Sequence, residues 1–169
     1  EKNNKILIKD LDLSKSYKII DIENFDINFK NNKKILNKLK LKKNNSNFII
    51  DGESFDASRI INNIMDSDDE SSTIFENLNS KINIRIKKTY IDEVNYINNL
   101  YGDLGFNNNK MHSLKLESTF PNKKKINLSI KTLNNSETIT KLSSAYPKPL
   151  IKRYDFIKGF EEGYLDFYS

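Results

Sequence analysis

Lys81-Ile82-Asn83-Ile84-Arg85-Ile86-Lys87 alternates polar and apolar side chains without a break. Successive side chains of a strand point to opposite faces, so the stretch reads as a ribbon with one apolar and one wet face. Phe25/Ile27/Phe29, Leu39/Leu41, Leu114/Leu116 and Ile126/Leu128/Ile130 repeat that rhythm. The chain is therefore expected to be mainly β: an elongated, curved antiparallel sheet with few helices. Few helices to cover the apolar face makes what lies on it the functional question.

Composition narrows the answer. Ile, Leu, Val and Phe supply 50 of 169 residues, well above the range of disordered chains. Only Ala57, Ala145 and Val94 are small among the hydrophobes. A net charge of +5 from 28 basic and 23 acidic residues describes a mixed, solvated surface and argues against nucleic acid as a partner. With no cysteine, disulfides, thiolate nucleophiles and Cys-ligated metals are excluded. No run of 18 apolar residues is present. Because the chain starts at Glu1 and stops at Ser169 inside an apolar run, it is expected to be a segment of a longer protein.

Along the chain, 5–13, 17–22, 24–30, 35–43 and 47–51 alternate as strands, with Asn31-Asn32 and Asn44-Asn45 as turns. Ala57, Ile60, Ile61, Ile64 and Met65 are spaced as one face of a helix over 57–65, with Asp56 as N-cap and Phe55 stapled on Ile60. An acidic loop at 66–73 ends it. Strands are predicted again at 79–88, 96–106, 110–120, 124–132 and 137–142, with turns at 107–109 and Pro121-Asn122. A second short helix near Pro149 and a strand from Tyr164 follow. Each half is a strand meander, a short helix and a return to strand, which suggests one repeat-like segment over 1–169 with sub-units 1–66 and 79–169.

Two stretches, Phe48-Ile49-Ile50-Asp51-Gly52-Glu53-Ser54-Phe55-Asp56-Ala57-Ser58-Arg59-Ile60 and Tyr154-Asp155-Phe156-Ile157-Lys158-Gly159-Phe160-Glu161-Glu162-Gly163-Tyr164-Leu165, resemble the AsmA-like proteins of Gram-negative bacteria, YhdP branch. That branch leads a strand into a G-x-x-F-D-A-x-x-L helix start and later passes through Y-D-x-I-x-G-G-x-L into a strand. Here Phe160-Glu161-Glu162 separates Gly159 from Gly163, a departure from the pattern. The resemblance spans about residues 46–169 and brings no catalytic signature. It implies a periplasmic half-pipe with an apolar inner face, anchored in the inner membrane by a part outside this segment, that carries phospholipid toward the outer membrane.

The residues expected to line such a groove are Phe25, Ile27, Phe29, Leu39, Leu41, Ile82, Ile84, Ile86, Leu114, Leu116, Ile126, Leu128 and Ile130. Acyl chains would leave water there at about 0.8 kcal/mol per CH₂. The expected partners are phospholipid acyl chains and neighbouring repeats of the same chain, and lysines such as Lys33, Lys34, Lys38, Lys40, Lys42, Lys43, Lys87, Lys88 and Lys123–Lys125 either meet head groups or solvate turns and wet faces. The same stripes would equally serve as the core of a closed sandwich or barrel, or as part of a scaffold for outer-membrane proteins, like the related TamB branch, that pairs client strands at its edges.

No enzyme, cofactor or metal is expected. Asp66, Asp68, Asp69 and Glu70 lack the glycine and final glutamate of a calcium loop. His112 is the only histidine and reads as a surface residue, and the five glycines form no phosphate-binding spacing. Paired carboxylates for glycoside cleavage depend on a three-dimensional separation that sequence does not give.

Overall fold

The computed structural model describes residues 4–65, 74–134, 137–154 and 162–169. Ten strands lie side by side in chain order: β1 (Lys5–Leu13), β2 (Ile19–Lys30), β3 (Leu36–Asn44), β4 (Asn47–Asp56), β5 (Ser80–Tyr90), β6 (Tyr96–Asn107), β7 (Lys110–Thr119), β8 (Lys125–Asn134), β9 (Glu137–Ser144) and β10 (Leu165–Tyr168). Helix α1 (Ser58–Met65) follows β4 and α2 (Lys148–Tyr154) follows β9. The sheet is open, with β1 and β10 as its edges. A closed barrel is thereby excluded.

Asparagine makes the turns. Asn108 and Asn109 both take positive φ, 48° and 63°, between the paired Asn107 and Lys110. That is the geometry of the tight hairpin whose twist suits flanking strands. Asn45 does the same between β3 and β4 at φ 55°. At α1, the Asp56 carboxylate accepts hydrogen bonds from the Ser58 amide at 3.0 Å and hydroxyl at 2.6 Å, as an N-cap should. Ile60 is 51% exposed, whereas Ile61 packs inward.

Two expectations about the sheet are corrected. The sheet is mixed, because β4 and β5 run parallel while every other pair is antiparallel. A helical connection that carries the chain back to its starting end forces that direction. After α2, by contrast, β10 pairs antiparallel with β9. Strands 17–22 and 24–30 are one strand, β2, within which Ile22 and Phe25, three residues apart, join one apolar cluster. Asp10 of β1, at φ 51°, lies between the partners of Asn24 and Ile22, where the alternation changes phase. In β6 the same shift occurs at Asn99, φ 53°, so that Ile97 and Leu100 share a cluster. The acidic stretch 66–73 lies outside the described residues.

Two clusters sit at opposite ends of the apolar face. Ile91, Ile97, Phe120 and Leu150 form one, with Ile61 of α1, Leu100, Ile126, Leu142, Tyr146 and Leu165 around them. Ile22, Phe48 and Leu78 form the other, joined by Phe25, Leu41, Phe75, Ile82 and Phe106. Both described ends of the β4–β5 connection, α1 and Phe75–Leu78, thus pack on the same face. Asn109 fastens the second end: its side chain accepts from the Leu78 amide at 2.7 Å and donates to the carbonyls of Phe75 at 3.2 Å and Glu76 at 3.0 Å.

Candidate functional site

Strand register turns the apolar stripes into rows. One row crosses all ten strands: Ile8, Phe25, Leu41, Ile50, Ile84, Gly102, Leu116, Leu128, Leu142 and Phe167. Every position but Gly102 is large and apolar. A Cβ at Gly102 would lie 1.9 Å from the Lys115 carbonyl oxygen, so no side chain fits there. Nine strand spacings make the row about 43 Å long. On one side lie Ile6, Ile27, Leu39, Gly52, Ile86 and Leu100, and on the other Phe48, Ile82, Leu104, Leu114, Ile130 and Thr140.

All thirteen residues expected to line a groove are half-buried or buried. Phe25, Leu41, Ile84, Leu116 and Leu128 share the long row, and Ile27, Leu39 and Ile86 the second. Ile82, Leu114 and Ile130 share the third. Phe29 stands apart, opposite the buried Asn37, and Ile126 belongs to the end cluster around Phe120. Between the clusters, Ile27, Leu39, Ile50, Ile84, Ile86, Leu104, Leu114, Leu116, Leu128 and Ile130 form a strip that belongs to neither. Within the strip Ile86 and Leu114 are buried and the other members are half-buried.

The opposite face was not singled out from sequence, yet it carries a cavity of about 590 Å³. Five strands each give it three consecutive residues: Asp26-Ile27-Asn28, Lys38-Leu39-Lys40, Asp51-Gly52-Glu53, Arg85-Ile86-Lys87 and Asn99-Leu100-Tyr101, with Lys5 from β1. A pocket on the apolar side would be lined by residues two apart. Here the flanking residues are the walls and the middle ones the floor, so the cavity opens on the polar face.

Register explains its order. Asp26, Lys40, Asp51, Arg85, Tyr101 and Glu117 pair strand by strand from β2 to β7. Lys40 lies 3.9 Å from Asp26, Arg85 2.9 Å from Asp51, and the Tyr101 hydroxyl donates to Glu117 at 2.6 Å. Lys38 pairs with Glu53 at 2.8 Å. That hydrogen bond, then the lysine charge, lowers the Glu53 pKa. The Glu117 pKa is lowered by the Tyr101 hydrogen bond first, which in turn raises that of Tyr101.

Lys38, Lys40 and Lys87 thus lie on the wet face as expected, whereas two lysines do not. Lys43 is paired with Asp21, whose pKa it lowers by hydrogen bonding, and Lys88 sits over the rings of Tyr96 and Tyr90 at 3.8 and 4.8 Å. His112 is exposed and lies against Gly105.

The fold and site define an open mixed β-sheet with an apolar strip on one face and a charged cleft on the other. Comparison with family models, with curated proteins and with solved structures gives no match to this chain.

Proposed function

We propose that this chain is a segment of an AsmA-like periplasmic protein that carries phospholipid between the inner and outer membranes, with acyl chains running across the strands over the apolar strip. The observation that supports the reading is the row from Ile8 to Phe167, apolar across the whole sheet, with Ile84, Leu116 and Leu128 only half-buried between the end clusters. Burial of methylenes is non-directional and roughly proportional to area, so no place along a uniform row is preferred and a chain can slide. Catalysis is not part of this reading. In the polar cleft Asp51 and Glu53 are held by Arg85 and Lys38. The lowered pKa of Glu53 is opposite to what a general acid needs.

A photo-crosslinking residue at Ile84 or Leu128 should capture lipid in a cell envelope, and Ile84→Asp should block lipid transfer while the sheet stays folded. Adducts to protein alone at both positions would overturn the proposal. A second reading, a scaffold for outer-membrane proteins, is favoured by one observation: Ile6 and Ile8 on edge strand β1 are 64% and 45% exposed and end the apolar rows at an unpaired edge. Crosslinks to client strands from Lys9 or Phe167 would support it.

A further inference from the structure

Edge strand β1 leaves Ile6, Ile8, Leu11 and Leu13 exposed by 64, 45, 37 and 48%. They stand opposite Ile27, Phe25, Ile22 and Ile19 of β2, and the last three of those belong to one apolar cluster. All four exposed residues therefore lie on the apolar face, although Ile8 and Leu11 are three apart, because the alternation changes phase at Asp10, φ 51°. Among the described residues β1 has β2 as its single strand neighbour, so its outer edge is unpaired. Lys9 and Asp10, both exposed, stand at its middle and form no ion pair among the described residues.

The strand is complementary to itself. Laid antiparallel against a second β1 about a two-fold axis between Lys9 and Asp10, it sets Lys9 opposite the second copy's Asp10 and Asp10 opposite the second copy's Lys9. On either side of the axis Ile8 meets Leu11 and Ile6 meets Leu13, so the exposed apolar side chains of both copies cover one another in cross-strand pairs. The phase change falls at the axis in both copies, which keeps those pairs on one face. A slip of one residue in either direction sets Lys9 against Lys9 or Asp10 against Asp10, and turns Ile8 toward Asp10 or Asp12. The other edge, β10, is four residues long with Asp166 as its single charge, and would cover less than half of β1.

We propose that two copies of this chain pair through β1 in that register, joining their sheets edge to edge with both apolar faces on the same side. The inference rests on the edge strand and not on what the apolar strip carries, so it stands or falls independently of lipid carriage.

Sedimentation velocity over a concentration series tests this, and should show the chain in equilibrium between one copy and two. Lys9→Asp and Asp10→Lys each bring like charges together at both crossings and should weaken self-association at least about tenfold. An equimolar mixture of the two variants restores both opposite-charge pairs and should associate within about threefold of the parent affinity. Lysine suits the backbone at position 10, since Lys34 and Lys123 hold φ 60° and 63°. Ile6→Lys should abolish the dimer, whereas Val94→Lys, at an 81% exposed apolar residue outside β1, should leave its affinity within about twofold. Circular dichroism checks that every variant is folded. A single copy at every concentration up to about 1 mM, growth beyond two copies, failure of the mixed variants to associate, or equal effects of Ile6→Lys and Val94→Lys would each overturn the proposal.

Discussion

The two faces of this sheet come from one alternation but are built differently. On the apolar face, neighbours are interchangeable: Ile, Leu and Phe succeed one another along the long row, and any of them does the same work. On the polar face, neighbours are specific, with Asp26 set beside Lys40, Asp51 beside Arg85 and Tyr101 beside Glu117. The first is suited to contact that slides. The second holds fixed partners in fixed places.

The sharpest break of this comparison lies within the apolar face. Phe120, 2% exposed in the end cluster, should cost about 3–5 kcal/mol on replacement by alanine. Ile84, half-buried in the strip between the clusters, should cost about 1–2 kcal/mol, since it has less area to lose. Urea denaturation of both variants measures the difference, and equal losses would mean that the strip is as sealed as the cluster.

Next in size is Asn109, which holds a positive φ and fastens Phe75–Leu78 by its side chain. Asn109→Ala should lose about 2–3 kcal/mol through both contributions. Asn109→Gly relieves the backbone and should lose about 1–2 kcal/mol, so the gap between the variants in the same assay separates turn from clasp.

Polar-face changes should be smaller. Removing Arg85 from the exposed Asp51 pair is expected to cost about 0.2–1 kcal/mol, and a loss as large as that of Phe120 would show the charge ladder to be structural. The smallest expected effect is on acid stability. Asp21 and Glu53 have folded pKa values below their ordinary 3.8 and 4.5. Their contribution is therefore complete above those values and is lost as pH falls through the folded ones. Lys38→Met and Lys43→Met should each flatten the loss of stability on acidification below pH 4.5, read from denaturation midpoints across the acid range.

The sequence announces the apolar face more readily than the polar one for a physical reason. Period-two spacing at Ile82/Ile84/Ile86 assigns a face without knowing which strand lies alongside. The cleft needs that knowledge: nothing local to Asp26 or Asp51 says that Lys40 and Arg85 stand beside them. The alternation did mark Lys38, Lys40 and Lys87 as wet, which was the available hint. Alternation also misled in β2, where Ile22 and Phe25 join one cluster, and at Asn99, where the register with β7 shifts. The parallel β4–β5 pair escaped the reading because strand direction depends on the path of the connection, which the spacing of residues 57–79 does not give.

That parallel pair has a kinetic consequence. Every other seam in the sheet joins strands that follow each other in the chain in antiparallel order, and most close through tight turns, so β1–β4 and β5–β9 can each zip up locally. The β4–β5 seam must wait for the whole of residues 57–79 to loop back, with the entropy of that closure to overcome. Two preassembled half-sheets meeting late along one line is the folding order this topology favours, and the joint is the place where a refolding chain would stall or pair with a neighbouring molecule instead.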